Sequence, residues 1–318
     1  MSSDWLVLKG FDNWGDTTLT DQLAQNLVSF FNNGFLNLGA FTNVTMNLSG
    51  YYGGDFSRLR PVNDPNFADG RVFEGFRSQW VYESGISYNY QPISISGVYV
   101  SGVFCPTSGL AYSHHIDYTL GRVVFDNPIN QSIPINIEFP YRNVFATTSE
   151  APWFRQIQTN SLRVDNNQFL QGPSGAWDTL AQSRVQLPAV VIEPTTRITL
   201  EPMQLGGGQF RNQDVLCHVV AETPWERNKL TDIILSQKDK TIYLYDLNKV
   251  VADEVWALNF DGSPNPSGLQ YPQLVDPGLG YRKYNCLFYN AVAQDVMNPQ
   301  NLFVSSVRLT CKIQVDNI

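Results

Sequence analysis

Residues 93–145 read ISISGVYVSGVFCPTSGLAYSHHIDYTLGRVVFDNPINQSIPINIEFPYRNVF, and the fold turns on how this stretch is read. Ile133, Ile135, Ile137 and Phe139 alternate with Pro134, Asn136 and Glu138. A period of two marks a strand with one buried and one wet face. Leu120–Phe125 gives another apolar run after a turn-like break that follows His115–Tyr118, and Gly121 can supply an unusual backbone angle or a bulge. Val98, Val100, Val103 and Phe104 form a third run around Gly97 and Gly102. Short strands in immediate succession predict an antiparallel meander at the centre of the chain.

Upstream, Thr18 with Asp21 resembles a capping box, and Leu19, Leu23, Leu27, Phe30 and Phe31 recur at helical spacing. Asn33-Gly34 offers a stop. One stripe of this helix is strongly apolar, so it must lie on its own domain or on a neighbouring subunit. Tyr51-Tyr52-Gly53-Gly54 and Asn63-Asp64-Pro65-Asn66 read as turns, and Trp80, Tyr82 and Ser84 alternating with Val81 and Glu83 read as a strand.

Downstream, composition changes over Thr147–Trp153, which divides the chain into residues 1–148, a helix plus β-meander, and 149–318, an α+β region. One interleaved domain is the alternative. Pro152-Trp153 opens a short helix through Gln156, residues 165–182 form an excursion without periodicity, and Ala189–Ile192 and Arg197–Leu200 return to strand character. Val215–Ala221 reads as a strand. Thr223, Pro224 and Glu226 then supply an N-cap, a first-turn proline and a capping box, with Leu230, Ile233 and Ile234 on the inner face. Thr241–Leu247 alternates again, completing a strand–helix–strand segment. Asp261–Gly280 is a loop rich in proline and glycine, of a length that is uncommon without a function or a partner. Val307, Leu309, Cys311, Ile313 and Val315 alternate with polar residues in a closing strand. The expected class is therefore α+β and β-rich, with antiparallel, sandwich-like sheets and a few helices.

Charged residues make up 16% of the 318, below the roughly 25% of ordinary soluble domains. Such a surface suits a protein that buries much of its exterior against other subunits. The net charge of −8, with no basic cluster, argues against a phosphate-binding face but allows an acidic wall past which nucleic acid slides. Cys105, Cys217, Cys286 and Cys311 are scattered through apolar strands and read as free thiols of a reducing compartment. No signal peptide and no membrane-spanning run are expected. Asn43, Asn47 and Asn130 begin glycosylation-type triplets that fit chance in an Asn-rich chain.

The chemistry-bearing residues are few. His114 and His115 are neighbours and on a strand face opposite ways, while His115 and Asp117 share a face but lack further metal ligands. His218 lies in an apolar strand, as a hydrogen-bonded core histidine does. No nucleophile elbow, P-loop, dinucleotide fingerprint or zinc-protease motif occurs. Gly206-Gly207-Gly208 lacks the Lys and Ser/Thr of a phosphate loop. Asp64, Asn66 and Asp69 depart from EF-hand spacing, and Asp253-Glu254 is one of many carboxylate pairs. Neither a catalytic residue nor a cofactor is expected.

HHIDYTLGRVVFDNPI (residues 114–129), followed by a strand ending in FPYRNVF, resembles a recurring stretch in structural proteins of tailed bacteriophages. VLCHVVAETPWERNKLTDIIL, TIYLYD and LFVSSVRLTCKIQV are similar to the strand–helix–strand core of neck and tail-completion proteins. Together these cover about half the chain, leaving the first 90 residues and Asp261–Gly280 unmatched. The resemblance implies a non-enzymatic virion protein, assembled in the host-cell cytoplasm as a homo-oligomeric ring at the head–tail junction. Its partners would be itself and other neck, portal or tail proteins, with DNA passing through the lumen without sequence-specific binding and no membrane contact.

Within that expectation Leu19, Leu23, Leu27, Phe30 and Phe31 of the helix, with Pro264, Pro266, Tyr271, Pro272 and Pro277 of the loop, are candidate assembly contacts. A glycan- or receptor-binding β module of a tail fibre or baseplate is the competing reading, with Trp14, Tyr51, Tyr52 and Trp177 beside Asn and Asp residues. A hydrolase built on scattered carboxylates is the third.

Overall fold

The computed structural model describes residues 13–46, 55–108, 111–154, 186–203, 208–296 and 302–315. The first helix, α1 (Leu19–Asn37), is capped by Thr18, whose hydroxyl accepts from the Asp21 amide at 3.1 Å. It runs through Gly34, where the sequence predicted a stop. The end comes instead at Leu38-Gly39. Gly39 takes φ +78°, its amide donates to Leu36, and the Ala40 amide donates to Phe35. These two bonds form a Schellman cap, which needs its left-handed residue at 39.

The N-terminal half then builds small sheets. Strand β1 (Phe41–Val44) pairs with β9 (Phe139–Arg142), and β2 (Arg60–Val62), β3 (Val72–Glu74), β7 (Arg122–Phe125) and β6 (His114–Asp117) form a sheet in that order. A third sheet orders β5 (Val103–Pro106), β4 (Gly97–Val100) and β8 (Ile135–Asn136). Residues 93–145 are thus two hairpins in different sheets, not one meander. β7 turns away to β3, and β8 returns to β4. The run Ile133–Phe139 keeps its alternating burial but is no single strand, because its backbone changes partners: Ile135 and Asn136 pair with β4, whereas from Phe139 the chain pairs with β1. Gly121 does take positive φ, +68°. The strand expected over residues 80–84 is absent. Trp80 and Val81 are both buried, so that segment does not alternate, and only Trp80 bridges to Tyr141. One apolar core, including Val98, Phe73, Val123, Ile135, Trp80 and Phe139, joins these sheets.

The second half is dominated by a six-stranded sheet ordered β10 (Phe145–Thr148), β11 (Ala189–Pro202), β12 (Gln209–Ala221), β15 (Phe303–Val315), β14 (Arg282–Val296) and β13 (Thr241–Tyr245). All its neighbours are antiparallel except β10 and β11. The two strand signals after residue 188 are one strand, with an irregularity between Pro194 and Ile198. Helix α2 (Pro224–Leu235) has the expected Thr223 cap and buries Leu230 and Ile234. The strands flanking it, β12 and β13, are separated by β15 and β14. Three antiparallel steps make β13 run opposite to β12, so the segment is no parallel crossover unit. Val307, Leu309, Cys311 and Ile313 are fully buried, as their alternation predicted.

The sheet curls until both of its edges meet α1. Asn26 donates to the Tyr245 C=O at 3.1 Å and accepts from the Tyr245 N–H at 2.8 Å, on edge strand β13. Asn32 makes the same pair of bonds with Ala146 on the opposite edge strand, β10, at 3.1 and 2.8 Å. Six residues separate the two amides, placing them about 120° apart around the helix. Leu23, Leu27, Phe31 and Phe35 fill the interior with Val190, Val219, Phe288 and Ile313. The helix therefore closes the curl like a stave, and this core draws on both sides of residue 148.

The proline-rich stretch is not structureless. It holds a one-turn helix, α4 (Tyr271–Leu274), and a small core of Leu274, Tyr245 and Val250, the last from α3 (Leu247–Ala252). Its tip docks on the β6–β7 turn, where the Tyr118 amide donates to Gly262 at 3.0 Å.

Candidate functional site

A cleft of about 1060 Å³ lies between the outer face of α1 and residues 253–274. Its α1 wall carries Gln25, Ser29 and Asn33; its far wall carries Trp256, Asn265 and Gln270. Tyr82, Tyr245 and Tyr271 contribute aromatic surface. Burial raises the pKa of all three phenols, first among the causes in each case, so they act as neutral hydrogen-bonding groups. The Tyr245 hydroxyl lies 3.1 Å from Ser29 Oγ, and the Tyr271 hydroxyl donates to Tyr243 C=O at 3.3 Å.

Under the cleft lies a buried ion pair, Glu83 with Arg142. Burial works against the Arg142 charge, but Glu83 and Tyr82 outweigh it, and the pKa is raised. The pair is incompletely satisfied: Glu83 Oε2 and Arg142 Nη1 are buried with no hydrogen-bond partner among the described residues. Asp253 accepts from the Tyr281 hydroxyl at 3.1 Å, and Trp256 is 40% exposed. Half-exposed indole beside amides and carboxylates can stack on and hydrogen-bond a polar ligand.

Among the described residues no group of three or more His, Cys, Asp or Glu side chains is placed to hold a metal. Asp64 is occupied in its own turn, accepting from Asn66, and pairs with Arg122 at 3.2 Å. His218 Nε2 lies 2.7 Å from Glu193, and His114 Nδ1 lies 2.7 Å from the Tyr112 C=O.

The nominated assembly residues part company here. Leu23, Leu27 and Phe31 are 0–3% exposed in the chain's own core, so in this conformation they are closed to a neighbour. Leu19 and Phe30 pack against that core from its margin. Pro264, Pro266, Pro272 and Pro277 are exposed, and Tyr271 is half-buried. Phe30 and Tyr271 meet edge to face at 6.2 Å, joining the helix and the loop. Of the aromatics considered for glycan binding, Trp14 is fully exposed, and Tyr51, Tyr52 and Trp177 lie outside the described residues. The glycines at 206 and 207, the excursion at 165–182 and Gln156 lie outside them too.

No protein-family model matches the chain, and no curated protein matches it significantly.

Sequence reasoning passed over two features. One is the Glu83–Arg142 pair, whose members lie 59 positions apart in sequence and carry no local signal. The other is the far half of β11. Residues 196–202 are exposed on both faces, with Ile198 and Leu200 at 38% and 61%. The alternation TRITLEP, with apolar residues between opposite charges, was the available signal for an exposed edge.

Proposed function

We propose that this chain is a non-enzymatic structural subunit of a tailed-phage virion, a neck, connector or tail-completion protein that works as a homo-oligomeric ring at the head–tail junction. One observation carries the reading furthest. The far half of β11, residues 196–202, is exposed on both faces at the sheet's margin and bears apolar side chains. Exposed edge strands of this kind are how one subunit adds to another. The net charge of −8 is compatible with DNA passing a lumen without tight phosphate contacts. The mass of the native assembly tests the ring: a single closed oligomer of more than two copies supports it, and a monomer or dimer at high protein concentration overturns it.

The cleft beside Trp256 favours a second reading, a glycan- or receptor-binding module of a tail fibre or baseplate. Signal on a glycan array that disappears with Trp256→Ala would support this alternative over the ring.

A further inference from the structure

The far half of β11 is an open sheet edge. β10 pairs only with Ala189–Ile192, and beyond that point no strand among the described residues pairs with the outer side of β11. One bond fixes where its backbone groups point. Met203 N–H donates to Gly208 C=O at 2.9 Å, so Met203 faces the β12 side. Alternation then turns Glu201 and Thr199 toward β12 and leaves the N–H and C=O of Leu200 and Ile198 on the open edge. Pro202 falls on the same outward parity, where its missing N–H costs the β12 ladder nothing.

We propose that a second copy of this chain adds to this edge, antiparallel, about a two-fold axis through Thr199. Outward groups sit only on even-numbered residues here, which leaves three close registers. With the axis at Ile198, Arg197 would face Thr199 of the second copy and the charges would go unmatched. With the axis at Leu200, Ile198 would face Pro202 and Arg197 would face Met203 of the second copy, so the proline enters the centre of the contact and the charges again go unmatched; with the axis at Thr199 the proline moves out to face Thr196. With the axis at Thr199, Ile198 faces Leu200 of the second copy and they exchange both backbone bonds, and symmetry repeats the pair.

In that register Arg197 faces Glu201 of the second copy, and the reverse. Arg197 and Glu201 are 76% and 54% exposed, so each has surface to give. Each also has a partner within its own chain: Arg197 lies 3.6 Å from Asp214, and Lys312 lies 3.4 Å from Glu201. Pairing therefore lines up Asp214, Arg197, then Glu201 and Lys312 of the second copy, alternating in sign. Such an isologous contact uses the same patch on both subunits and is complete with two. It does not rest on the ring reading: it uses this edge for a two-fold contact, so a ring would have to close through a second surface.

The register makes a covalent test possible in the full chain. Thr199 meets itself across the axis as a non-hydrogen-bonded pair, with Cα atoms roughly 4.5 Å apart, within disulfide range. Arg197 lies four residues out of register with its own copy, beyond that range. Under mild oxidation Thr199→Cys should form a covalent dimer about tenfold faster than Arg197→Cys, which reports collision alone. Adding Glu201→Arg to Thr199→Cys should slow the reaction, and adding Arg197→Glu as well should restore it. Equal rates for the two cysteine variants, or no restoration by the double charge swap, would overturn the proposal. A native dimer with fast Thr199→Cys crosslinking would support this contact and overturn the ring, and a larger closed oligomer with equal crosslinking rates would do the reverse, so the two readings fail separately.

Discussion

Asn26 serves both backbone groups of Tyr245, its amide standing where a neighbouring strand would stand, and is itself fully buried. A sheet edge is thereby blunted from within the chain. Asn26→Ala strands a buried N–H and a buried C=O, and should cost about 2–4 kcal/mol. Asn32→Ala should cost less, because Asn32 is only partly buried and water can replace its amide. Urea unfolding midpoints compare the two, and equal losses would refute the edge-closing role given to Asn26.

Gly39 sits at φ +78°, and a Cβ there would lie 2.3 Å from the Tyr88 ring. Gly39→Ala therefore combines left-handed strain with a clash against an aromatic side chain. A loss of about 2 kcal/mol or more is expected. Gly34→Ala, in mid-helix with open space around its Cα, should instead stabilise by about 0.5–1 kcal/mol. Thermal melts of the two variants should move in opposite directions.

His114 gives the fold an acid-sensitive point. A carbonyl can only accept, so its Nδ1 carries the proton toward Tyr112, and Nε2 is left buried without a partner. Burial is the main cause that lowers its pKa below 6.5; the Tyr112 bond and Asp126 oppose that shift, and His115 adds to it. A lowered folded pKa contributes stability that is present above the unfolded value and lost as pH falls through the folded one. His114→Phe, packing beside Phe125, should flatten the decline in stability as pH falls below about 6.5. An unchanged pH profile would show that His114 does not carry it.

The four cysteines are free, and three are buried. Burial pushes the Cys217 thiol up to about 12, and Cys311 is raised by its contact with Cys286 as well as by burial. Thiolate is the reactive form, so a maleimide should label only Cys105 in the native protein and all four after unfolding. Two or more labels on the native protein would contradict this packing.

Features carried by local chemistry were legible in the sequence. The Thr223-Pro224-Glu226 start of α2 and the 2-residue period of β15 came through with their burial intact. Pairing was not legible. Ile133–Phe139 alternates correctly yet changes backbone partners midway, from β4 to β1, and nothing in its residues names either strand. The helix stop was misplaced because Asn33-Gly34 has the composition of a cap, whereas the cap at Gly39 depends on bonds that only the folded turn makes. Nothing in the helix sequence singles out Asn26 and Asn32 from its other polar residues. Their purpose needs two strands more than 100 residues away. The cleft is assembled from α1, residues 82–83 and residues 245–274, so its shape belongs to the tertiary structure alone.

The helix that closes the sheet also sets a schedule. Asn26 leaves the ribosome 219 residues before Tyr245, a wait of roughly 10–40 s at about 5–20 residues per second. For that interval Leu23, Leu27 and Phe31 lack the β13–β15 side of the sheet that completes their cover. A nascent chain in this state is a ready client for a holding chaperone, and a prematurely terminated product lacking β13–β15 would leave the stripe half covered for good.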